Sequence, residues 1–573
     1  MGTEGKVAVS AVSLILVVGV IIGAVAVVRH GEESKAHNGN GSGTTSSMKS
    51  VTTFCASTPF KDACARSVES VANNATATPK DYLMAAIQAT IQEVRKAIEV
   101  TNTTKIDPKE DPFHHSALEN CKELLGYAVD ELQASFSTVG NSELHTLSDR
   151  VDQLLNWLSA VYSYQTSCLD GFEKAEYKNA LENGMLNATQ LTNNAVDIVA
   201  GISDLLKSFN NATQLNNFTN QRRLLQDYEF VMGHDGFPTW FRFEDRKLLA
   251  GHHRLLTPNA VVAKDGSGRF KSISEALAAY PPNFKGRYII YVKAGIYAEN
   301  VIVDKNKPNV FIYGDGAGRT IVTGGKNFAL MHIQTSNTAT FAAIGDGFIA
   351  RSMTFRNTAG PQGHQAVALR VMSDMAAVFD CSIEGFQDTL YYQVHRQFYR
   401  NCVISGTVDF IFGKGAAVIQ NSLIIVRRGL PGQFNTVTAD GKELENDRTG
   451  VVLQNCRIVA DTELFKSRFQ VASYLGRPWK KFAKTVIMQT EIGDHIRPEG
   501  YIKWDGEAFE KSCQYLEFAN RGPGAVPPNG SRSKIFTRSR HIDPREASQY
   551  TVAAFIQGHL WLRTTGAPFT PGL

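Results

Sequence analysis

At 573 residues the chain is too long for one compact hydrophobic core, which excludes a single-core protein and implies at least two domains. Its net charge of +4 conceals a polarity: residues 1–250 carry 21 Lys and Arg against 29 Asp and Glu, while 251–573 carry 38 against 26. The two halves should attract each other, and the basic half calls for an anionic partner: nucleic acid, a membrane or an acidic polysaccharide.

Val7 to Val28 is almost wholly apolar, with Lys6 before it and Arg29-His30 after it. That run is long enough to span a bilayer and longer than a usual signal-peptide core, so residues 1–30 are expected to be a signal anchor into the secretory pathway. Residues 31–50, rich in Gly, Ser and Asn, read as a flexible stalk. Sequons for N-glycosylation stand at Asn40, Asn74, Asn102, Asn187, Asn211, Asn217 and Asn529, six of them in the first 220 residues, which fits a lumenal chain. The eight cysteines are then free to form disulfides.

Four helical patterns follow over residues 51–207. Met84, Ile87, Ile91, Val94 and Ile98 recur at steps of three and four, as do Leu118, Cys121, Leu125, Ala128 and Leu132. Leu147, Val151, Leu154, Leu158 and Val161 repeat the pattern, and so do Leu191, Ala195, Ile198, Ile202 and Leu205. Four amphipathic stretches without strand signals predict an up-and-down four-helix bundle. Cys55 and Cys64 are placed to close a hairpin before the main helices, and Cys121 and Cys168 to staple the second helix to the third. Residues 208–256 read as a processing linker. It holds Arg222-Arg223-Leu224-Leu225 and Arg246-Lys247-Leu248-Leu249, paired basic residues of the kind a subtilisin-like protease cuts in exposed chain.

Beyond the linker, strand-like segments begin at Met353, Cys381, Cys402, Ser422 and Cys456, at intervals of 28, 21, 20 and 34 residues, with Gly and Asn at the breaks. A period near 20 to 25 fits the coils of a parallel β-helix. Residues one coil apart then stack about 4.8 Å from each other along the axis. Asp388 and Asp409, 21 apart, should stack, and so should Gln365 and Gln387, 22 apart. Two carboxylates that close cannot both ionise cheaply, so one should titrate high and the other low. Such a pair suits acid–base hydrolysis; a hydrolase or lyase cutting a glycosidic bond is an enzyme reading, and a binding or inhibitory protein with a catalytically silent groove is the non-enzyme one. The sequence holds neither a zinc-type His/Cys spacing nor a Gly-x-Ser-x-Gly elbow, and neither metal nor cofactor is implied. Trp479 is either a sugar-stacking platform or core filling, and of Tyr391 and Tyr392 one should face the core because strand neighbours alternate.

Five strings carry a resemblance: Gly295-Ile296-Tyr297-Ala298-Glu299, Gln365-Ala366-Val367-Ala368-Leu369, Gln387-Asp388-Thr389-Leu390, Val408-Asp409-Phe410-Ile411-Phe412-Gly413 and Leu475-Gly476-Arg477-Pro478-Trp479. Together they resemble the plant pectin methylesterases, and the helical region resembles the inhibitor domain that precedes many of them. The resemblance implies a right-handed parallel β-helix over 257–573 that removes methyl esters from homogalacturonan in the plant cell wall, and it leaves nucleic acid no role as partner. It further implies that Arg477 pairs with Asp409 as nucleophile, that Asp388 is the acid and base, that Gln365 and Gln387 hold the oxyanion, and that Thr335 contacts substrate. Tyr297 and Glu299 are expected to be structural. Many relatives carry a cysteine where this chain has Ser422, so Cys402 is left either free or paired with Cys381, and Cys456 and Cys513 have no assigned partner. The N-terminal bundle is expected to hold the enzyme inactive, tethered to the membrane, until a protease releases it to the wall.

Overall fold

The computed structural model describes residues 50–74, 76–206, 257–526, 530, 532 and 535–573. The expected anchor at 7–28 and the stalk up to residue 49 lie outside these residues. So do Asn40, Asn211, Asn217 and Asn529, and the basic pairs Arg222-Arg223 and Arg246-Lys247. Among the described residues no helix is long and apolar enough to cross a membrane. Asn74, Asn102 and Asn187 are all exposed.

Four long helices follow the apolar periodicity: α1 (Pro79–Thr103), α2 (Pro112–Asn141), α3 (Val151–Asp170) and α4 (Ala175–Ala200). Their starts are chemically marked. Thr78 and Asp81 form a reciprocal capping box ahead of Pro79, and Asp111 accepts from the His114 amide ahead of Pro112. Each satisfies an amide that the helix itself cannot, and proline at the first position loses nothing there. Leu83, Ile87, Leu125, Leu132, Leu158, Val161 and Val196 meet in one buried core. Cys55 is bonded to Cys64, and Cys121 to Cys168, stapling α2 to α3.

Among the described residues, the strands between Ala260 and His541 form a parallel β-helix with faces of eleven, seven and eight strands, every paired strand running parallel. The recurrent segments of the sequence are the eight-stranded face: Ser382↔Val403, Val403↔Leu423 and Leu423↔Arg457 are in register. Turns into this face use the left-handed conformation at Asp380, Asn401, Asn421 and Asn455, which short polar side chains tolerate. Their amides form a ladder: Asn401 donates to Asp380 at 3.1 Å, Asn421 to Asn401 at 2.7 Å and Asn455 to Asn421 at 3.1 Å.

The seven-stranded face consists of β1 (Val301–Val303), β2 (Phe341–Ala343), β3 (Leu369–Val371), β4 (Leu390–Tyr392), β5 (Ile411–Gly413), β6 (Asn435–Asp440) and β7 (Ser473–Pro478). The helical bundle sits against it. Ile344, Met372, Val394 and Leu444, each just past the end of one of these strands, join the bundle's core. Around them the pairing is acid from the bundle and base from the β-helix: Glu131 with Lys305 and His395, Asp152 with Arg448, Asp170 with Lys414 and Lys480. The charge polarity of the sequence is thus expressed as an interface.

Pairing of Cys381 with Cys402 does not occur; both are free and buried, as are Cys456 and Cys513. The spacing of about 4.8 Å between stacked coils lies within the Cα–Cα range of a disulfide, so side-chain direction decides: the Cys381 thiol turns to the Phe379 carbonyl and that of Cys402 to those of Val378 and Arg400. Ser422 fills the neighbouring position and accepts from the Cys402 amide at 3.0 Å. Thiol titration should therefore find four reactive cysteines in denaturant and none in the native chain; any natively reactive thiol would contradict the burial.

Candidate active site

Strand register builds the site. Leu390 of β4 pairs with Ile411 of β5, which places Asp388 and Asp409, each two residues earlier, at the same point of successive coils. Both adopt the left-handed conformation, φ 62° and 50°, so the chain turns alike beneath each carboxylate. One coil back, Gln365 and Gln387 are bridged in parallel, and the Ala366 amide donates to the Gln387 carbonyl at 3.2 Å. Gly406 permits the tight turn before Asp409: a β-carbon there would collide with Phe410 and with the Phe386 carbonyl.

Arg477, on β7, reaches across β6 to Asp409. Its Nε lies 2.9 and 3.1 Å from the two carboxylate oxygens and its Nη2 lies 2.6 Å from Oδ2. Its row on the sheet runs through the small Ala439 to Phe412, three residues past Asp409, so the guanidinium reaches back along the strands to the carboxylate. Thr436 completes the hold, donating to Asp409 Oδ1 at 2.7 Å and accepting from its amide at 2.8 Å. The Trp504 ring covers Arg477 at 4.2 Å. Asp388 has no such cation of its own. Burial pushes its pKa well above the ordinary value, and the neighbouring Asp409 carboxylate pushes it further, against a smaller pull from Arg477. The two aspartates are thus chemically distinct: one is fixed to a cation, the other favours its proton.

These groups line a cavity of about 260 Å³ together with Thr335, Gln365, Gln387, Tyr391, Phe412 and Trp479. Tyr391 stacks on Phe412 at 4.3 Å, with Trp479 edge-on to both. Tyr392 turns into the β-helix core, where its hydroxyl donates to Asp440 at 3.0 Å. Tyr297 is buried in the same core, and Glu299 accepts from the amides of Ile273 and Ser274 at the start of a short helix. The far wall of the cavity belongs to the bundle: Asn120, Ser167, Asp170 and Gly171.

The model of the family described as Pectinesterase matches residues 259–559, and that described as Plant invertase/pectin methylesterase inhibitor matches 49–198. The chain is similar to Pectinesterase 4 of Arabidopsis thaliana, 43% identical over 99% of this chain and 100% of the relative. This chain belongs to the pectinesterase family. A probable pectinesterase/pectinesterase inhibitor of Brassica napus is 40% identical over the same shares of the two chains. Among solved structures, a pectin methylesterase from carrot is 46% identical, with a TM-score of 0.54. All of that chain matches 56% of this one, about the length of the β-helix. This pectinesterase is therefore an enzyme built on a parallel β-helix, preceded by an inhibitor-like helical bundle.

Thr436, Trp504 and the four bundle residues were not anticipated from the sequence. Thr436 follows Asp409 by 27 residues, outside the 20 to 22 spacing of its neighbours, because an excursion after Val426 lengthens that coil. A carboxyl whose native pKa lies above its unfolded value binds more protons in the native state, so stability falls as pH rises from the ordinary value of 3.8 toward the native one. Asp388→Asn should flatten that slope, and its stability relative to the unsubstituted chain should grow with pH across the window. Urea unfolding at a series of pH values measures this, and parallel curves would contradict a protonated Asp388.

Proposed function

We propose that this pectinesterase hydrolyses methyl esters of homogalacturonan through a covalent intermediate on Asp409, with Asp388 as acid and then base. The observation that carries the proposal is the asymmetry of the stacked pair: Arg477 grips Asp409 through both carboxylate oxygens, while Asp388 is buried with a raised pKa. Asp409, held as a carboxylate, attacks the ester carbonyl. Protonated Asp388 gives its proton to the departing methoxide, so methanol leaves and an acyl-aspartate remains. Asp388, now ionised, takes a proton from water as its oxygen attacks the acyl carbonyl. The acyl–Asp409 bond breaks, freeing the uronic acid and restoring both aspartates. Gln387 and Gln365 offer side-chain N–H groups to the oxyanion formed in each step, a contribution of about 3 kcal/mol each. Thr335 and Trp479 line the same cavity and serve the sugar.

Autoinhibition by the bundle is supported by its position. Asn120, Ser167, Asp170 and Gly171 wall the cavity that holds both aspartates, on the side from which a polymer would have to approach them. On this reading residues 51–207 are the inhibitor-like unit, 208–256 the linker that a subtilisin-like protease cuts at its basic pairs, and 257–573 the catalytic unit freed into the cell wall. The segment 1–30 serves as the membrane tether of the uncut chain on its way through the secretory pathway, and Asn74, Asn102 and Asn187 are open to glycosylation.

Methanol release from highly methylated pectin, with viscosity followed on the same samples, tests the chemistry. Asp409→Ala should lower the rate by about 10⁴-fold or more and Gln387→Ala by about 10²-fold, at constant viscosity. Falling viscosity without methanol would instead assign the site to chain cleavage. For the bundle, the uncut chain should work at least about tenfold more slowly than the chain cut within 208–256 and separated, a difference of only about 1.4 kcal/mol. Equal rates would remove the autoinhibition.

A further inference from the structure

One acidic residue of the bundle enters the cavity and is held there as an anion. Asp170, the last residue of α3, has Oδ1 2.7 Å from Lys480 Nζ and Oδ2 2.9 Å from Lys414 Nζ. Lys414 also donates to Thr166 of the bundle at 2.9 Å and to Glu443 of the β-helix at 2.7 Å. Both ammonium groups flank the Trp479 indole, at 4.9 and 5.8 Å from the ring centre. Burial by itself would raise the Asp170 pKa, but Lys414 and then Lys480 bring it down to about 2. Each oxygen of this carboxylate therefore meets its own cation beside the aromatic platform that the cleft offers to a sugar.

The charge count changes when the bundle leaves. Asp170 and Thr166 go with it, while Lys414, Lys480 and Glu443 remain on the β-helix. That trio carries a net charge of +1, and the Lys414 side chain, 1% exposed in the closed form, loses two of its three partners. A monoanion would restore neutrality, whereas a neutral group would leave a cation with unused donors. The polymer proposed to enter this cleft carries both kinds of group along its length: uncharged methyl esters awaiting hydrolysis and free carboxylates already exposed.

We infer that Lys414 and Lys480 form a subsite for a free uronate carboxylate on a ring neighbouring the one that carries the reacting ester, and that Asp170 occupies this subsite as a stand-in until the bundle departs. The inference rests on the reading of the cleft as a pectin site. Lys414 follows β5, the strand that leads away from Asp409, and Lys480 lies three residues beyond Arg477. Both cations thus sit along the strands that issue from the proposed reaction centre rather than at it. A subsite there makes one product the anchor for the next turnover. It selects esters next to a carboxylate over esters in a fully methylated run, since the selectivity lies in rejecting the uncharged group as well as in binding the anion.

The test uses the chain cut within 208–256 and freed of its bundle, with Lys480→Gln and Lys414→Gln compared with the unsubstituted chain. Because the carrot enzyme is a complete chain of about the β-helix's length, the freed part is expected to fold, and circular dichroism checks each variant. Two quantities are read: the ratio of kcat/KM on half-de-esterified pectin to that on fully methylated pectin, and the affinity for unesterified trigalacturonate by calorimetry. Each variant should lower the ratio and weaken trigalacturonate binding by about tenfold, the loss of one charge-assisted contact. An unchanged ratio together with unchanged affinity in Lys480→Gln, whose partly exposed side chain is the less disruptive to replace, would overturn the subsite. Absence of methanol from the unsubstituted enzyme would refute the esterase reading alone, since the calorimetric comparison still decides for or against the carboxylate site.

Discussion

The spacing between coils is the constraint on which this molecule depends. Parallel strands stack about 4.8 Å apart, so a residue type repeated once per coil becomes a column of side chains in mutual contact. In the interior the column is apolar, as with Leu369, Leu390 and Ile411. At one turn it is the Asp380–Asn401–Asn421–Asn455 ladder. On the face beneath the bundle the same stacking sets Gln387 beside Gln365 and Asp388 beside Asp409. Stacked carboxylates would be a liability in an ordinary fold, and here the Asp409 carboxylate adds to burial in raising the pKa of Asp388. Arg477 breaks the symmetry because it arrives from two strands away and can satisfy only one of the two.

Stacking permits a contact without imposing it. Cys381 and Cys402 are coil neighbours at a spacing that a disulfide could bridge, yet they stay unpaired. Their thiols turn to backbone carbonyls instead, Cys402 to Val378 and Arg400 and Cys381 to Phe379. Stability on that face comes from the ladder and the core. The covalent links lie in the bundle, where Cys121 and Cys168 stand on adjacent helices.

Much of this was legible in the residues because both halves of the chain are periodic. The apolar steps of three and four marked α1 to α4, and the 21 residues between Asp388 and Asp409 placed the two at the same point of successive coils. What stayed hidden depends on contacts that no period encodes. Asp170 and Lys414 are 244 residues apart, and nothing near either one points to the other. The charge polarity of the two halves predicted attraction but not its address. Thr436 was concealed by an excursion that broke the coil count, and Trp504 by lying outside the five strings that carried the resemblance.

The make-up of the bundle interface bears on how the closed form opens. Ile344, Met372, Val394 and Leu444 of the β-helix join the bundle's core and Phe113 packs on Phe328 and His332, while the ion pairs and hydrogen bonds around them make much of the contact polar. A purely apolar seal would hold the domains together after the linker was cut, because nothing in the wall would compete with it. A seal of carboxylates on lysines can be replaced group for group by a polymer of carboxylates. Arg448 and Asp152 are half exposed, and pairs of that kind add little on their own. Lys414 is different: it is buried beneath the bundle, and the loss of Asp170 and Thr166 would leave it only Glu443 of its three partners. While the linker is intact, Asp170 competes at the high effective concentration of a tethered group. In the proposed scheme, cutting the linker removes that advantage, and an acidic polysaccharide offering many carboxylates per chain takes its place. The electrostatics proposed to favour the substrate would then be those that hold the bundle, with covalent connection deciding which of them occupies the cleft.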